Sequence, residues 1–186
     1  MHNWELTARV EYRINAQDLL IDFSGDWERF ALENAAPQLV ANQILGRSLW
    51  EFISNVETRM VYKALLAKVR KGKSPFDVEF RCDASDLRRY IRLSMLPLSK
   101  NRVQFVGTVL KVEPRDSIGL LDPIISRSDD LFTICSWCKS VLLPDGRYAE
   151  VEEAVDNLGL FQRDVQPALS HGICPACLSK YNSIAN

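Results

Sequence analysis

The sequence lacks the features that mark membrane, secreted and nucleic-acid-binding proteins. No apolar run approaches the roughly 18 residues that a membrane-spanning helix needs. Residues 1–7 have neither the basic start nor the apolar stretch of a signal peptide. The 23 Lys+Arg and 24 Asp+Glu residues give a net charge of −1, which provides no overall basic field for phosphates. We therefore expect a soluble cytoplasmic protein with no membrane or nucleic-acid partner.

Histidine is also scarce, with two among the 186 residues, His2 and His171. The composition, 47% hydrophobic and 25% charged, is globular and excludes a disordered or collagen-like chain. The length suits one domain, or one domain of about 120 residues with a small appendage. Of the five cysteines, Cys82 stands alone and four lie in the last third. In a reducing cytosol, paired cysteines indicate metal or redox chemistry rather than disulfides.

The first 112 residues predict two strands, a block of helices and three strands. Apolar and polar residues alternate in five segments, a pattern typical of half-buried strands. These segments are 8–14, 19–23, 76–82, 89–96 and 102–112, and residues 100–101 suit a hairpin turn between the last two. In the third segment, the alternation puts Asp77, Glu79 and Arg81 on the solvent side.

Helical patterns occupy the region between the second and third strands. A helix is expected to start at residues 24–26, and short turns are expected within 36–54. A longer helix should begin with a capping box, Ser54 and Glu57, and end at Gly72. The segment 59–92, which includes this helix, holds ten Lys/Arg against four Asp/Glu. We interpret this excess as a solvated face; an anionic ligand or partner is the alternative.

Residues 113–130 are polar and contain Pro114 and Pro123, so we predict a linker there. It separates a first domain (1–112) from a cysteine-rich module (131–186). A helical turn is expected at 118–121 and a helix at 148–158. Because the linker should share few contacts with either neighbour, Cys174→Ser should unfold the module and leave the first domain folded.

The predicted order of elements resembles a PAS domain from about residue 9 to residue 112. The segments that carry the resemblance are 12–16 (Tyr-Arg-Ile-Asn-Ala), 27–30 (Trp-Glu-Arg-Phe) and 45–50 (Leu-Gly-Arg-Ser-Leu-Trp). Segments 80–83 and 88–90 are similar to one subgroup of bacterial PAS sensors. The resemblance implies an α+β fold, with a five-stranded antiparallel sheet in the order 2-1-5-4-3 and helices over one face. It also implies a sensory or interaction function and a homodimer, for which the apolar flank in residues 1–8 (Met1, Trp4 and Leu6) is the candidate contact.

PAS domains often hold a small ligand between the helices and the sheet. The candidate contacts here are large inward side chains of the middle section, the long helix and the last three strands: Trp50, Leu65, Phe80, Ile91, Leu93, Phe105 and Val109. The identity of the ligand is unknown. A fully packed core without a ligand is the alternative, because aromatic residues also fill cores.

Two PAS cofactors are not expected. A histidine-ligated haem needs a histidine within the domain, and none lies between His2 and His171. Covalent flavin photochemistry uses a cysteine on the helical side, and residues 46–50 contain none. Cys82 alternates with Phe80, so we predict that its side chain points inward and packs as a small buried hydrophobic group. A haem thiolate or a redox sensor is the alternative for Cys82.

The last third contains two C-x2-C pairs, Cys135/Cys138 and Cys174/Cys177, separated by 35 residues. Two such turns facing each other offer four thiolates in a tetrahedron, which suits a structural Zn²⁺ ion. Metal binding would supply much of the folding free energy of so small a module. His171 is expected near the metal without binding it, or as a substitute for one sulfur. An iron–sulfur cluster and thiol–disulfide chemistry would use the same cysteines and stay open as hypotheses.

Residues 131–181 also resemble a C-terminal module of bacterial PAS- and GAF-containing signalling proteins. The matching segments are 134–139 (Ile-Cys-Ser-Trp-Cys-Lys) and 170–177 (Ser-His-Gly-Ile-Cys-Pro-Ala-Cys). The resemblance implies a zinc-ribbon or knuckle-like module attached to sensors, with no catalytic residue. Four Lys/Arg against six Asp/Glu in 131–186 oppose contact with DNA and favour contact with a protein.

The sequence therefore predicts a non-catalytic cytoplasmic PAS sensor or adaptor whose output passes through a protein partner or a homodimer. The alternatives are a thiol oxidoreductase that uses the C-x2-C pairs and a PAS redox sensor that binds haem or flavin.

Overall fold

The computed structural model describes residues 8–161 and 163–185. Over these residues the chain is an α+β protein, as predicted. Five strands form the first sheet: β1 (Arg9–Ile14), β2 (Leu20–Gly25), β3 (Phe76–Arg81), β4 (Leu87–Pro97) and β5 (Val103–Pro114). Between β2 and β3 lie α1 (Trp27–Glu33), α2 (Ala41–Ile44) and α3 (Val56–Gly72), with 3-10 turns at Pro37–Leu39 and Leu49–Glu51.

The first sheet is antiparallel and runs in the order β2-β1-β5-β4-β3, which confirms the predicted order. Its inward face follows the alternation seen in the sequence. Tyr12 of β1 lies opposite Phe105 of β5, and the two rings stack with their centroids 4.5 Å apart. Leu65 and Leu66 of α3 pack into the same core, so the helix covers this face of the sheet.

The hairpin between β4 and β5 turns at Lys100 and Asn101, as predicted. Both residues have a left-handed backbone, with φ of 60° and 57°. Two consecutive left-handed residues are typical of a type I′ turn, whose twist matches that of the paired strands. The hairpin therefore forms without the glycine that usually completes this turn.

The predicted capping box is wrong by one residue. Asn55, not Ser54, caps α3, and its side-chain oxygen accepts a hydrogen bond from the Thr58 backbone N–H at 2.8 Å. A capping box does occur earlier, in the turn Leu49–Glu51. There the Glu51 carboxylate accepts from the Ser48 backbone N–H at 3.0 Å. Asn and Ser cap helices about equally well, so residue type could not separate the neighbouring candidates.

A second sheet follows in the C-terminal unit, in the order β8-β7-β6-β9. Its strands are β6 (Arg127–Cys135), β7 (Val141–Leu142), β8 (Tyr148–Ala149) and β9 (Gln166–Gly172), and β6 and β9 are parallel. α4 (Val151–Asn157) follows β8, and α5 (Pro175–Ala185) follows β9. The helix expected at 148–158 is shorter, because Tyr148 and Ala149 pair with β7. No helix in the described part of the chain is long and apolar enough to span a membrane.

The region between the two sheets is tightly held rather than loosely attached. The expected turn is present as the 3-10 turn Gly119–Leu121, and Ile118 and Leu120 are buried in a core shared with α4. The Arg115 guanidinium donates a hydrogen bond to the carbonyl of Ala84 at 2.6 Å. The expectation of few contacts is therefore wrong. Because the linker makes many contacts, there is no longer a reason to expect that Cys174→Ser unfolds the module alone.

Arg81 also departs from prediction. The alternation put it on the solvent side of β3, yet the residue is 7% exposed. The C-terminal unit covers this position, where the Arg81 guanidinium pairs with Asp83 and with Glu150, the latter at 2.6 Å. The Asp83 side chain is completely buried, and its carboxylate also accepts a hydrogen bond from Arg115 at 3.3 Å. An ion network therefore joins the first sheet to the C-terminal unit.

Other cations of segment 59–92 have partners within the protein as well. Arg70 pairs with Asp18 at 2.7 Å, and Arg92 pairs with Glu79 at 2.9 Å. The local positive excess is thus not a uniform solvated face.

Removing the Asp83 carboxylate should destabilise the protein. Asp83→Ala leaves the guanidiniums of Arg81 and Arg115, both 8% exposed, without their shared buried partner. We expect the free energy of unfolding to fall by about 3 kcal/mol. The control Asp22→Ala removes a partly exposed pair with Arg13 and should cost less than about 1 kcal/mol. Urea unfolding measures both, and equal losses would contradict a buried network.

Candidate metal centre

The four paired cysteines meet at the ends of β6 and β9. Cys135 is the last residue of β6, and Cys138 follows in the next turn. Cys174 directly precedes α5, and Cys177 lies in its first turn. Because β6 and β9 pair in parallel, their carboxyl ends meet at the same edge of the sheet. This pairing brings the two C-x2-C segments together.

The geometry of the cluster suits a metal ion. All four sulfurs lie within 4.8 Å of one another, and the Sγ atoms of Cys138 and Cys174 are 3.7 Å apart. Tetrahedral zinc with Zn–S bonds near 2.3 Å places its sulfurs about 3.8 Å apart. Cys135 and Cys174 are buried, and the other two cysteines are partly buried. The four cysteines can therefore hold a metal ion, although four thiolates alone do not identify it.

Backbone amides support the sulfurs. The N–H of Cys174 donates to the Sγ of Cys135 at 3.4 Å, and the N–H of Cys177 donates to the Sγ of Cys174 at 3.4 Å. The first turn is closed by the N–H of Cys135, which donates to the Ser140 carbonyl at 2.8 Å. Lys139 has a left-handed backbone in this turn, with φ of 64°. The positions of the sulfurs are therefore fixed by the backbone.

The thiols influence one another's protonation. Hydrogen bonds from the Cys138 and Cys177 side chains lower the pKa of Cys135. Hydrogen bonds to Cys135 and Cys138 raise the pKa of Cys177, and burial raises that of Cys174. The thiolate of Cys135 is thus favoured, whereas ionisation of Cys174 and Cys177 is disfavoured. A cation is what would allow several of them to ionise together.

His171 lies on β9 opposite Ile134, and its side chain is exposed. Within the described residues, the metal-ligating side chains that converge here are the four cysteines, and His171 is not among them.

Trp137, which lies between Cys135 and Cys138, docks the cluster on the first sheet and its helix. The residue is 3% exposed. Its ring lies 4.1 Å from that of Tyr181 in α5 and stacks on Tyr62 of α3 at 5.3 Å, centroid to centroid. Phe80 of β3 meets it edge-on at 6.2 Å. Cys135 and Cys174 therefore belong to the same apolar core as the first sheet.

The C-terminal unit also covers the edge of the first sheet. β3 is an edge strand, and the backbone N–H of Arg81 donates to the carbonyl of Trp137 at 2.7 Å. On the same edge, the Tyr181 hydroxyl donates to the carbonyl of Glu79. Covering an edge in this way prevents unwanted pairing with other strands.

An apolar cavity of about 330 Å³ lies between α1, α3 and the first sheet. Of the residues predicted to contact a ligand, Phe80, Ile91 and Leu93 line this cavity. Cys82 lines it too, which agrees with its predicted inward direction. Burial raises the pKa of Tyr62, another lining residue, to about 12, so its hydroxyl stays neutral. The described lining of the cavity carries no charged side chain, so the cavity suits an uncharged molecule.

The other four predicted contacts lie elsewhere. Leu65 and Phe105 are completely buried in the main core, and Val109 packs beside Ala8 in a separate cluster. The Trp50 indole N–H donates to the Asp18 carboxylate at 2.9 Å, outside the cavity lining.

The prediction missed several residues that shape the cavity. Tyr12, Trp27 and Tyr62 contribute aromatic walls. Gly107 keeps part of the space open, since a Cβ there would lie 2.8 Å from a methyl carbon of Val10. Two signals were present in the sequence. The alternation in β1 places Tyr12 on the inward face of the sheet. A glycine inside a strand, such as Gly107, often marks a place where another part of the chain comes close to the backbone.

No protein-family model matches this chain, and no curated protein is significantly similar to it. The fold and the site define an α+β protein with a four-cysteine centre packed into its main core.

Loss of one cysteine ligand should affect more than the metal. Cys174→Ser should reduce bound metal, measured by elemental mass spectrometry, from about one ion per chain to a small fraction. Because Cys174 shares a core with Trp137, we also expect the thermal unfolding temperature of the whole chain to fall. The control His171→Ala should retain the metal. Equal metal loss in both variants would show that His171 is a ligand.

Proposed function

We propose that this chain is a non-catalytic PAS sensor or adaptor of the kind found in bacterial signal transduction. Its zinc ion is structural, and its output passes through contact with a protein partner. The strand order 2-1-5-4-3 and the helices on the inward face support the PAS assignment. The apolar cavity lies on that same face, where the resemblance implies a ligand.

The observation that carries this proposal is a wall shared by the cavity and the metal centre. Tyr62 and Phe80 line the cavity and also contact Trp137. Trp137 in turn lies between Cys135 and Cys138, which the metal would hold. In a close-packed interior, a molecule in the cavity displaces side chains that contact the metal-bound turn. Cavity occupancy and the position of the C-terminal unit are therefore coupled.

Zinc is the metal that we propose, because four converging thiolates form a closed tetrahedral site with no open position for a substrate. When bound, zinc would supply stability rather than reactivity. The chain's own contribution is to position the four sulfurs and to insert Trp137 into the core.

A thiol oxidoreductase is the first competing function. Such enzymes need an accessible thiol of low pKa. Burial of Cys135 and Cys174 and convergence of all four sulfurs disfavour it.

A haem or flavin redox sensor is the second competing function, and Cys82 is the cavity cysteine that it would use. An absorbance spectrum of freshly purified protein tests the second competing function, since the zinc-bound sensor should show neither a Soret band nor flavin bands. Metal analysis beside a thiol titration tests the first, since the sensor should carry about one zinc ion per chain and protected thiols.

Indole, an uncharged aromatic molecule, provides a test of the coupling. We expect the zinc-loaded protein to bind indole at least about fivefold more tightly than the chelated protein, as measured by calorimetry. Ala31→Leu adds carbons to the cavity wall and should abolish binding while zinc is retained. Trp137→Phe should reduce the difference between the loaded and chelated forms. Equal affinities in the two forms, or no binding to either, would contradict the proposal.

A homodimer is part of the proposal. The flank expected to form the contact lies largely outside the described residues, although Ala8 is buried beside Ile91 and Val109. Light scattering at micromolar concentration should give twice the chain mass of 21.2 kDa. Deletion of residues 1–7 should give the mass of the single chain. A monomeric full chain would contradict the dimer.

A further inference from the structure

A polar cleft of about 540 Å³ lies at the end of the first sheet, between the carboxyl end of α3 and the β4–β5 turn. Four cationic side chains line it, two at the end of α3 and two in or beside the turn: Arg70, Lys73, Lys100 and Arg102. Among the described residues, the lining contains no carboxylate and no aromatic ring. It shares no residue with the apolar cavity and includes none from the C-terminal unit. The cleft is therefore separate from the cavity and from the metal centre.

Negative charge near this cleft is smaller than the positive charge of its lining. Asp18 pairs with Arg70 at 2.7 Å and offsets the charge of that arginine. Asp77 of β3 lies opposite Ser94, three residues before Pro97 of the lining. The carboxyl end of α3 adds a partial negative charge of about half a unit. The four cations of the lining outweigh these contributions, so the cleft remains positive.

Hydrogen bonds hold the two arginines of the lining in place. The Arg70 guanidinium donates from Nε to the Asn101 carbonyl at 3.1 Å and from Nη2 to the Asn15 carbonyl at 3.0 Å. The Arg102 guanidinium donates from Nε to the Ser99 carbonyl at 3.2 Å and from Nη2 to the hydroxyl of the same residue at 3.1 Å. Nη1 of both arginines has no partner among the described residues. Each arginine is thus pre-positioned and has one terminal nitrogen, with two N–H groups, available to a ligand.

The two lysines of the lining occupy backbone positions where stability alone favours other residues. Lys73 ends α3 with φ of 49°, and Lys100 lies in the β4–β5 turn with φ of 60°. A side chain makes this left-handed conformation less favourable, so glycine is the usual residue at such a helix end, and glycine or asparagine in such a turn. Both lysines are exposed, and neither ammonium group has an ion-pair partner in the part of the chain that the structure describes. The contacts of the fold therefore do not account for a cation at either position.

From these contacts we propose that the cleft binds a compact polyanion with two linked phosphate groups. Phosphate oxygens accept hydrogen bonds from Nη1 of Arg70 and Arg102, because a guanidinium matches the geometry of a phosphate. Lys73 and Lys100 offset the rest of the charge, which is about three negative units for two linked phosphates at neutral pH. The volume lies within the range of small-molecule pockets, about 300–1,000 Å³. This site goes beyond the proposed sensor function, which uses the apolar cavity and the metal centre.

Pyrophosphate, malonate and ADP are the probes that test this proposal. Each is titrated by calorimetry into the full-length, zinc-loaded protein at about 150 mM salt, where charges more than about 8 Å apart are largely screened. We expect pyrophosphate to bind at least about tenfold more tightly than malonate, which carries less charge. ADP should bind within about threefold of pyrophosphate, because the lining offers no aromatic ring on which its base could stack. Metal analysis after each titration checks that zinc is retained.

The chain offers a matched control for the charge. Lys73→Gln and Lys100→Gln should each weaken pyrophosphate binding about threefold to tenfold. Lys71→Gln removes the same charge from an exposed lysine in the last turn of α3, outside the lining, and should change the affinity less than about twofold. Lys73→Gly separates binding from structure. It should weaken binding as Lys73→Gln does, yet raise the thermal unfolding temperature by about 2–4 °C, because glycine relieves the left-handed conformation.

Four results would overturn the proposal. The first is the absence of binding at millimolar pyrophosphate. The second is equal affinity for pyrophosphate and malonate, because any dianion would then suffice. The third is binding of ADP more than about tenfold tighter than that of pyrophosphate, because the base would then be recognised as well. The fourth is equal weakening by Lys71→Gln and Lys100→Gln, because the general charge of this end of the protein, rather than the cleft, would then attract the anion.

Discussion

The insertion of Trp137 between the two sheets is the contact on which the rest of the structure depends. The residue lies between two metal-ligating cysteines, so its backbone is positioned by the cluster rather than by a helix or strand. Its ring is buried against Tyr62 and Tyr181, and its carbonyl closes the edge of β3 by accepting from Arg81. Burial of a tryptophan in such a place contributes about 3–5 kcal/mol, as judged by its truncation to alanine. The turn that holds Cys135 and Cys138 and the core of the first sheet therefore stabilise each other.

The ion network around Asp83 acts differently from this aromatic contact. Desolvation offsets much of the attraction in buried ion pairs, so the network adds little net stability over an apolar contact of the same shape. It does penalise any arrangement that separates Asp83 from Arg81 and Arg115. Because Arg81 also binds Glu150 of the C-terminal unit, the network fixes how that unit sits on the first sheet. The aromatic contact of Trp137 therefore stabilises the association of the C-terminal unit with the first sheet, and the ion network fixes the orientation of that unit.

Features with a repeating pattern could be predicted from the sequence. Alternation located all five strands of the first sheet, and the spacing of four cysteines located the metal-ligating cluster. A period of two identifies the face on which a side chain lies, but not what covers that face. Arg81 is the clear case, because its predicted solvent face is covered by residues about 70 positions later. Trp137 belongs to no periodic segment, so no pattern indicated that it would enter the core.

The candidate ligand site was partly predictable for a related physical reason. Phe80, Ile91 and Leu93 were identified because the alternation within a strand shows which of its side chains face inward. Whether an inward residue lines a cavity or fills the core depends on which neighbours are small. Gly107 opens space beside Val10, whereas Leu65 and Phe105 meet large neighbours and are completely buried. Cavity position is thus set by contacts between distant segments, which a single sequence does not report.

The shared wall has a further consequence for how the two units communicate. Tyr62 and Phe80 line the apolar cavity on one side and, on the other, a second cleft of about 270 Å³ beside the turn that holds Cys135 and Cys138. Both rings contact Trp137, so displacement from either side reaches the same turn of the metal centre. Close-packed interiors compress little, and such a displacement is transmitted rather than absorbed. A metal ion bound by the four cysteines would hold this turn as one rigid body.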